Sequence, residues 1–86
     1  MSWFVYIIES DDGSLYTGIT TDLQRRFKQH SIGVGAKYFN GRSPVKFVYT
    51  EGDHDRSSAS VREFEIKKLS RLEKKQLIQR KLLEYQ

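Results

Sequence analysis

Six residues near the amino end, Trp3-Phe4-Val5-Tyr6-Ile7-Ile8, form an unbroken run of aromatic and β-branched side chains. A strand turns successive side chains to opposite faces, so a run with no polar alternation must be covered on both. The run therefore predicts a buried central strand. A chain of 86 residues has little material to cover it, so one small domain over residues 1–86 with a modest core is expected. Cysteine is absent, which excludes a disulfide framework and any thiolate metal site.

The rest of the chain reads as follows. Asp11-Asp12-Gly13-Ser14 supplies turn chemistry, and Leu15 to Ile19 is the partner strand of a hairpin. Gly18 within that strand marks a bulge or a close approach. Thr20-Thr21-Asp22 starts a helix, with Thr21 and Gln24 in capping-box spacing and Asp22 suited to the positive end of the dipole. Its buried stripe is Leu23 and Phe27, with Arg26 and His30 at the edge, and it should end between Ser31 and Gly35. Residues 33–44 form a long connection with a short helical turn around Ala36 to Phe39. Val45 to Thr50 is a third strand, and Glu51 to Asp55 is polar and turn-like. Arg56 to Leu69 is a second helix capped by Ser57 or Asp55, with Val61, Phe64 and Leu69 as its apolar contacts. Ser70 and Glu73 form a further capping box, opening a third helix whose main apolar face holds Leu77, Ile78, Leu82 and Tyr85. The order ββαβαα implies an α+β domain built on a small, largely antiparallel sheet with helices packed on it.

Chemistry concentrates between residues 3 and 30. Tyr6 and Tyr16 stand ten positions apart across the turn, and whether they meet depends on the hairpin register. Arg26 and His30 are four apart and so share a helical face. Two phenols, a guanidinium and an imidazole in so compact a unit suit a phosphate site. An unperturbed phenol titrates near pH ~10, so either tyrosine needs a nearby cation to act as a base at neutral pH. The planar fork of Arg26 can hold two phosphate oxygens, with Arg25 as its competitor. His30 suits a phosphate hydrogen bond or a proton shuttle. His54, between Asp53 and Asp55 in a turn, reads as solvated.

Tyr6 in Phe4-Val5-Tyr6, Tyr16-Thr17-Gly18, Arg26-Phe27-Lys28-Gln29-His30 and the later Glu63-Phe64-Glu65-Ile66-Lys67 together resemble the GIY-YIG nuclease superfamily. The likeness is closest to its small, stand-alone, single-domain bacterial members (UPF0213-like) and covers nearly the whole chain. Phe4-Val5-Tyr6 stands in place of Gly-Ile-Tyr, Thr17 in place of an isoleucine, and Ile19 where some relatives carry lysine. The resemblance implies a three-stranded antiparallel sheet flanked by helices. It also implies a metal-dependent endonuclease acting on DNA, including branched, nicked or single-stranded forms. Tyr6, Tyr16, Arg26, His30 and Glu63 would be its catalytic residues. Glu63 would hold Mg²⁺ or Mn²⁺, with Glu65 as the alternative ligand, because one carboxylate plus waters and phosphates suits a Mg²⁺ site.

Charge agrees with such a substrate. The net charge is +4, with six Lys/Arg against five Asp/Glu in residues 1–52 but nine against six in residues 53–86, so the excess lies on the C-terminal helices. Lys67 and Lys68 there, and Lys37 and Arg42 beside Tyr38, are the expected nucleic-acid contacts. A binding module without turnover is the alternative, and a partner-binding domain using the last helix is the third reading. No apolar stretch approaches membrane-spanning length and no secretory leader pattern is present, so a cytoplasmic monomer is expected.

Overall fold

The computed structural model describes residues 2–84. Its elements are β1 (Trp3–Ser10), β2 (Leu15–Thr20), α1 (Leu23–Ser31), β3 (Pro44–His54), α2 (Arg56–Lys67) and α3 (Arg71–Glu84), with a 3₁₀ turn at Lys37–Phe39. Both strand pairings are antiparallel and the order is β2-β1-β3. The apolar first strand is thus central, and Val5 to Ile8 are fully buried. This is the α+β arrangement that the order of elements implied.

The two faces of β1 carry different cores. Val5 and Ile7 pack with Tyr49, Ala59 and Ile66, backed by Leu77 and Ile78, so α2 and α3 cover that face. Tyr6 and Ile8 pack with Phe39, Leu23, Phe27 and Phe47 under α1 and the 3₁₀ turn. The second face is almost wholly aromatic, and it is where the polar chemistry sits.

Several local expectations change. The cap of α1 is Asp22, not Thr21: its extended backbone lets Oδ1 accept the Arg25 N–H at 3.0 Å, while Thr20 Oγ1 accepts the Asp22 N–H at 3.1 Å. Strand β3 does not stop at Thr50, because Glu51 pairs with Val5 and His54 with Trp3. Glu51 is polar yet satisfied there. It accepts from Tyr49 Oη at 2.5 Å, pairs with His54 Nε2 at 2.7 Å, and accepts from Arg62 Nε at 3.2 Å on both oxygens. Burial pushes the Glu51 carboxyl up, but these three partners outweigh it and hold it below the usual carboxylate range. His54 is therefore a half-buried member of this network and not a solvated turn residue.

Helix α2 is capped by Asp55 with Ser58 in a reciprocal box, and it turns inward through Ala59 and Ile66. Val61 and Phe64, expected as apolar contacts, are 60% and 61% exposed; the Phe64 ring lies under the Lys68 ammonium at 4.3 Å instead. Ala59 and Ile66 share the inward face of α2, and Phe64 lies off that face. The Ser70–Glu73 box at the start of α3 is present. Leu77 and Ile78 pack on the sheet, Leu82 is exposed, and Tyr85 lies outside the described residues.

Ile66 is the fully buried anchor of α2. Ile66→Ala should cost about 2–5 kcal/mol, the range for a large-to-small change in a packed core. Phe64→Ala should cost far less. Urea unfolding of both variants measures this, and a larger loss for Phe64→Ala would contradict the packing described.

Candidate active site

The hairpin register pairs Tyr6 with Gly18 and Ile8 with Tyr16. Tyr6 and Tyr16 therefore lie diagonally on the same face, with ring centroids 6.3 Å apart. Gly18 explains how a phenol fits between strands: a Cβ there would stand 2.5 Å from Tyr6 Oη and 2.6 Å from Cζ. The Tyr6 ring lies across the bare Gly18 backbone and is fully buried, while Tyr16 is half-buried.

Helix α1 brings His30 against Tyr6, with Tyr6 Oη and His30 Nε2 hydrogen-bonded at 2.8 Å. The imidazole is 1% exposed and stacks on Phe39 with centroids 4.4 Å apart. Burial, and then the Arg26 charge, push its pKa down to about 4, so it is neutral at neutral pH. His30 thus stands behind Tyr6, not at an open edge where a phosphate would meet it directly. Its Nδ1 has no protein partner. The bond can be made either way, the phenol O–H donating to a bare Nε2 or an Nε2–H donating to the phenol oxygen, according to the imidazole tautomer.

Tyr6 itself has its pKa raised to about 12. Burial is the main cause, Tyr16 and Glu63 act in the same direction, and Arg26 opposes them. Both Arg26 of α1 and Glu63 of α2 therefore lie close enough for their charges to act on this phenol. Arg26 is half-buried and donates from Nη1 to Gln29 Oε1 at 3.0 Å, whereas Arg25 is exposed. Glu63 is half-buried and paired with Lys67 at 3.4 Å; Glu65 turns the other way, to Arg62 at 3.8 Å.

The expected nucleic-acid residues are more dispersed. Lys37 and Lys68 are exposed. Arg42 is tied down, stacked 4.2 Å over the Tyr38 ring and 3.4 Å from Asp12. Tyr38 donates to Ser14 and packs on Tyr16 at 5.0 Å, so the connection from residue 33 to 44 is fastened over the hairpin turn. Sequence reasoning missed Gln29 and Gly35, both of which touch Arg26. The spacing of Arg26 and Gln29, three apart on a helix, was the available signal for the first; nothing in the sequence signals the second contact.

Among the described residues no group of three His, Cys, Asp or Glu side chains could by itself hold a metal. Glu63 fits the alternative, a hard cation held by one carboxylate with waters and substrate phosphates completing its shell. No helix among the described residues is long and apolar enough to cross a membrane.

The sheet order, the two tyrosines across one hairpin and the Arg/His helix are features of a nuclease superfamily, and comparison agrees. Residues 2–76 match the model of the GIY-YIG catalytic domain, and the chain belongs to that family. It is 53% identical over 74 residues to a UPF0213 protein of Haloquadratum walsbyi, covering 86% of this chain and 83% of that one. It is 42% identical over 76 residues to the UPF0213 protein YhbQ of Escherichia coli, covering 88% and 76%. Among solved structures, it is similar to a UPF0213 protein from Bacillus halodurans, with a TM-score of 0.59 and 48% identity over 92% of this chain and 84% of that one. A protein from E. faecalis gives a TM-score of 0.66 at 36% identity, covering 96% and 88%.

The titration of His30 gives a sign to acid stability. Its folded pKa of about 4 lies below the ordinary 6.5, so protons bind the unfolded chain first. The stability it confers is complete above 6.5 and is lost as pH falls from 6.5 toward 4. Tyr6 acts at the other end, its contribution complete below 10 and lost as pH rises toward about 12. Thermal midpoints across the acid window should fall more steeply for the wild type than for His30→Asn. Parallel slopes would show that His30 is not held neutral by the fold.

Proposed function

We propose that this protein is a cytoplasmic, monomeric, metal-dependent endonuclease that hydrolyses phosphodiester bonds in DNA, with a preference for branched, nicked or single-stranded structures. The observation that carries the reading is Tyr6 set beside Tyr16 and hydrogen-bonded to His30, with the opposite charges of Arg26 and Glu63 acting on its phenol. Membership of a nuclease superfamily supports it.

Hydrolysis needs a water stripped of a proton, positive charge facing the phosphorane oxygens and help for the leaving oxygen. Arg26 supplies charge that it cannot lose, and its fork suits two phosphate oxygens. Tyr16, the more accessible phenol, orients the phosphate and water at the mouth of the site. Tyr6 is a protonated phenol in the free protein and becomes a base only where cations offset its burial. Arg26 already acts in that direction, and the His30 tautomer that carries its proton on Nε2 would donate to the phenolate and stabilise it further. A divalent ion, Mg²⁺ or Mn²⁺, would be held by Glu63 and would supply Lewis-acid charge to the phosphate. Lys37, Arg42, Lys67 and Lys68 would contact the nucleic-acid backbone without reading sequence, so selectivity would come from substrate shape.

The direct test is incubation with labelled duplex, nicked, branched and single-stranded DNA, with Mg²⁺, with Mn²⁺ and with chelator. Cleavage that chelator abolishes is expected. DNA binding without cleavage under any divalent ion would replace this reading with a binding module.

Arg26→Ala should lower cleavage by roughly 10²–10³ with little change in thermal midpoint, as loss of a preorganised donor does. Arg25→Ala should act mildly. Equal losses in single-turnover assays would remove Arg26 from the phosphate.

Glu63→Gln should abolish metal-dependent cleavage while keeping the fold and leaving DNA affinity equal or slightly higher, since a carboxylate facing phosphate is gone. Glu65→Gln, on the Arg62 side of the helix, should cleave like the wild type. Reversed behaviour of the pair would make Glu65 the ligand.

A further inference from the structure

Arg26 has supports that play no part in the chemistry above. One is the Gln29 side chain, whose Oε1 accepts from Nη1 at 3.0 Å. The other is backbone. A Cβ on Gly35 would stand 2.5 Å from Arg26 Nη1 and 3.0 Å from both Cζ and Nη2, so the guanidinium lies against the bare Gly35 Cα. Gly35 has φ +106°, where side chains of L-residues are strained.

The same few residues close helix α1. Val34 N–H donates to the Gln29 carbonyl at 2.8 Å and Gly33 N–H to the His30 carbonyl at 3.2 Å. These paired bonds are a Schellman stop, with Gly33 at φ +78° as its left-handed residue. Gln29 therefore works twice, its carbonyl ending the helix and its amide oxygen holding Arg26. Two residues beyond the left-handed turn, the chain has come back onto the guanidinium.

We infer that Gln29 and Gly35 are positioning residues for Arg26, clamping its guanidinium from two sides so that its remaining N–H groups are already aimed at the phosphate site. The inference deepens the nuclease reading and rests on it for the identity of the ligand, a phosphodiester. A free arginine must give up side-chain freedom when the transition state forms, and a clamped one has done so beforehand. Of five N–H donors, one is committed to Gln29, and hydrogen bonding from the guanidinium also acts on the Tyr6 phenol. The effect of the Arg26 charge on both Tyr6 and His30 agrees with a guanidinium held beside them.

A purely structural role, ending the helix, would involve the two glycines alike. Gly33 supplies the control: it has a left-handed backbone, but a Cβ there would meet nothing within 4 Å. The experiment pairs ¹⁵N relaxation at Arg26 Nε, with Arg25 as internal reference, with cleavage kinetics on whichever labelled DNA the wild type cuts. In the wild type Arg26 Nε should be rigid where Arg25 is mobile. Gln29→Ala and Gly35→Ala should free it and lower kcat by about 10-fold and about 10²-fold, with KM little changed. Gln29→Glu keeps an acceptor and should keep Arg26 rigid. Gly33→Ala should lose stability yet leave Arg26 rigid and kcat near wild type. If Gly35→Ala does not fold, Gln29→Ala decides the matter alone. The inference is overturned by an Arg26 as mobile as Arg25 in the wild type, by an unchanged kcat once Arg26 is freed, or by equal kcat losses at Gly33 and Gly35. A wild type that cleaves nothing defeats the nuclease reading, and the clamp is then judged by relaxation alone.

Discussion

The buried hydrogen bond between Tyr6 and His30 joins the middle of the sheet to the helix that covers it. Both groups are polar, and both are buried. Leaving either unpaired there would cost about 1–3 kcal/mol, so the bond fixes where α1 lies along β1 as firmly as the apolar contacts do. Everything else in the site follows from that docking. Arg26 precedes His30 by one helical turn and so arrives beside the same phenol, and Phe39 closes over the imidazole.

This arrangement divides labour between the faces of one thin sheet. The face under α2 and α3 is mainly a packed apolar core, secured at its rim by the Glu51 carboxylate with Tyr49, His54 and Arg62. The face under α1 is an aromatic cluster with chemistry embedded in it. Burial there raises the Tyr6 pKa and lowers that of His30, and each shift favours the neutral form.

Most of the fold was legible in the sequence because its strongest signals are local. The Trp3–Ile8 run could only be a central strand, the capping box at Ser70 marks a real helix start, and Asp55 was one of the two caps offered for α2. The misreadings of β3 and α2 share one cause. Glu51 and His54 are polar and were read as turn, yet each finds its partner across the fold, in Arg62 or in the strand opposite. Phe64 is apolar and was read as core, yet α2 turns Ala59 and Ile66 to the sheet and leaves it outside. In the site, the types and spacing of Tyr6, Tyr16, Arg26 and His30 pointed to a phosphate. That His30 would lie behind Tyr6, and that Gly35 would press on Arg26, depended on how α1 ends, which no spacing records.

The sheet order also sets how much chain each pairing must close. The β1–β2 pairing closes across a four-residue turn, whereas β1 meets β3 only after the whole of α1 and the following connection have been gathered in. Local pairings form quickly and distant ones bear the larger loop-closure entropy. The two tyrosines are thus joined by a short closure, while Phe47 on β3 reaches Tyr6 only through a long one. The aromatic surroundings of this phenol are therefore drawn from both ends of the range of sequence separations that the sheet spans.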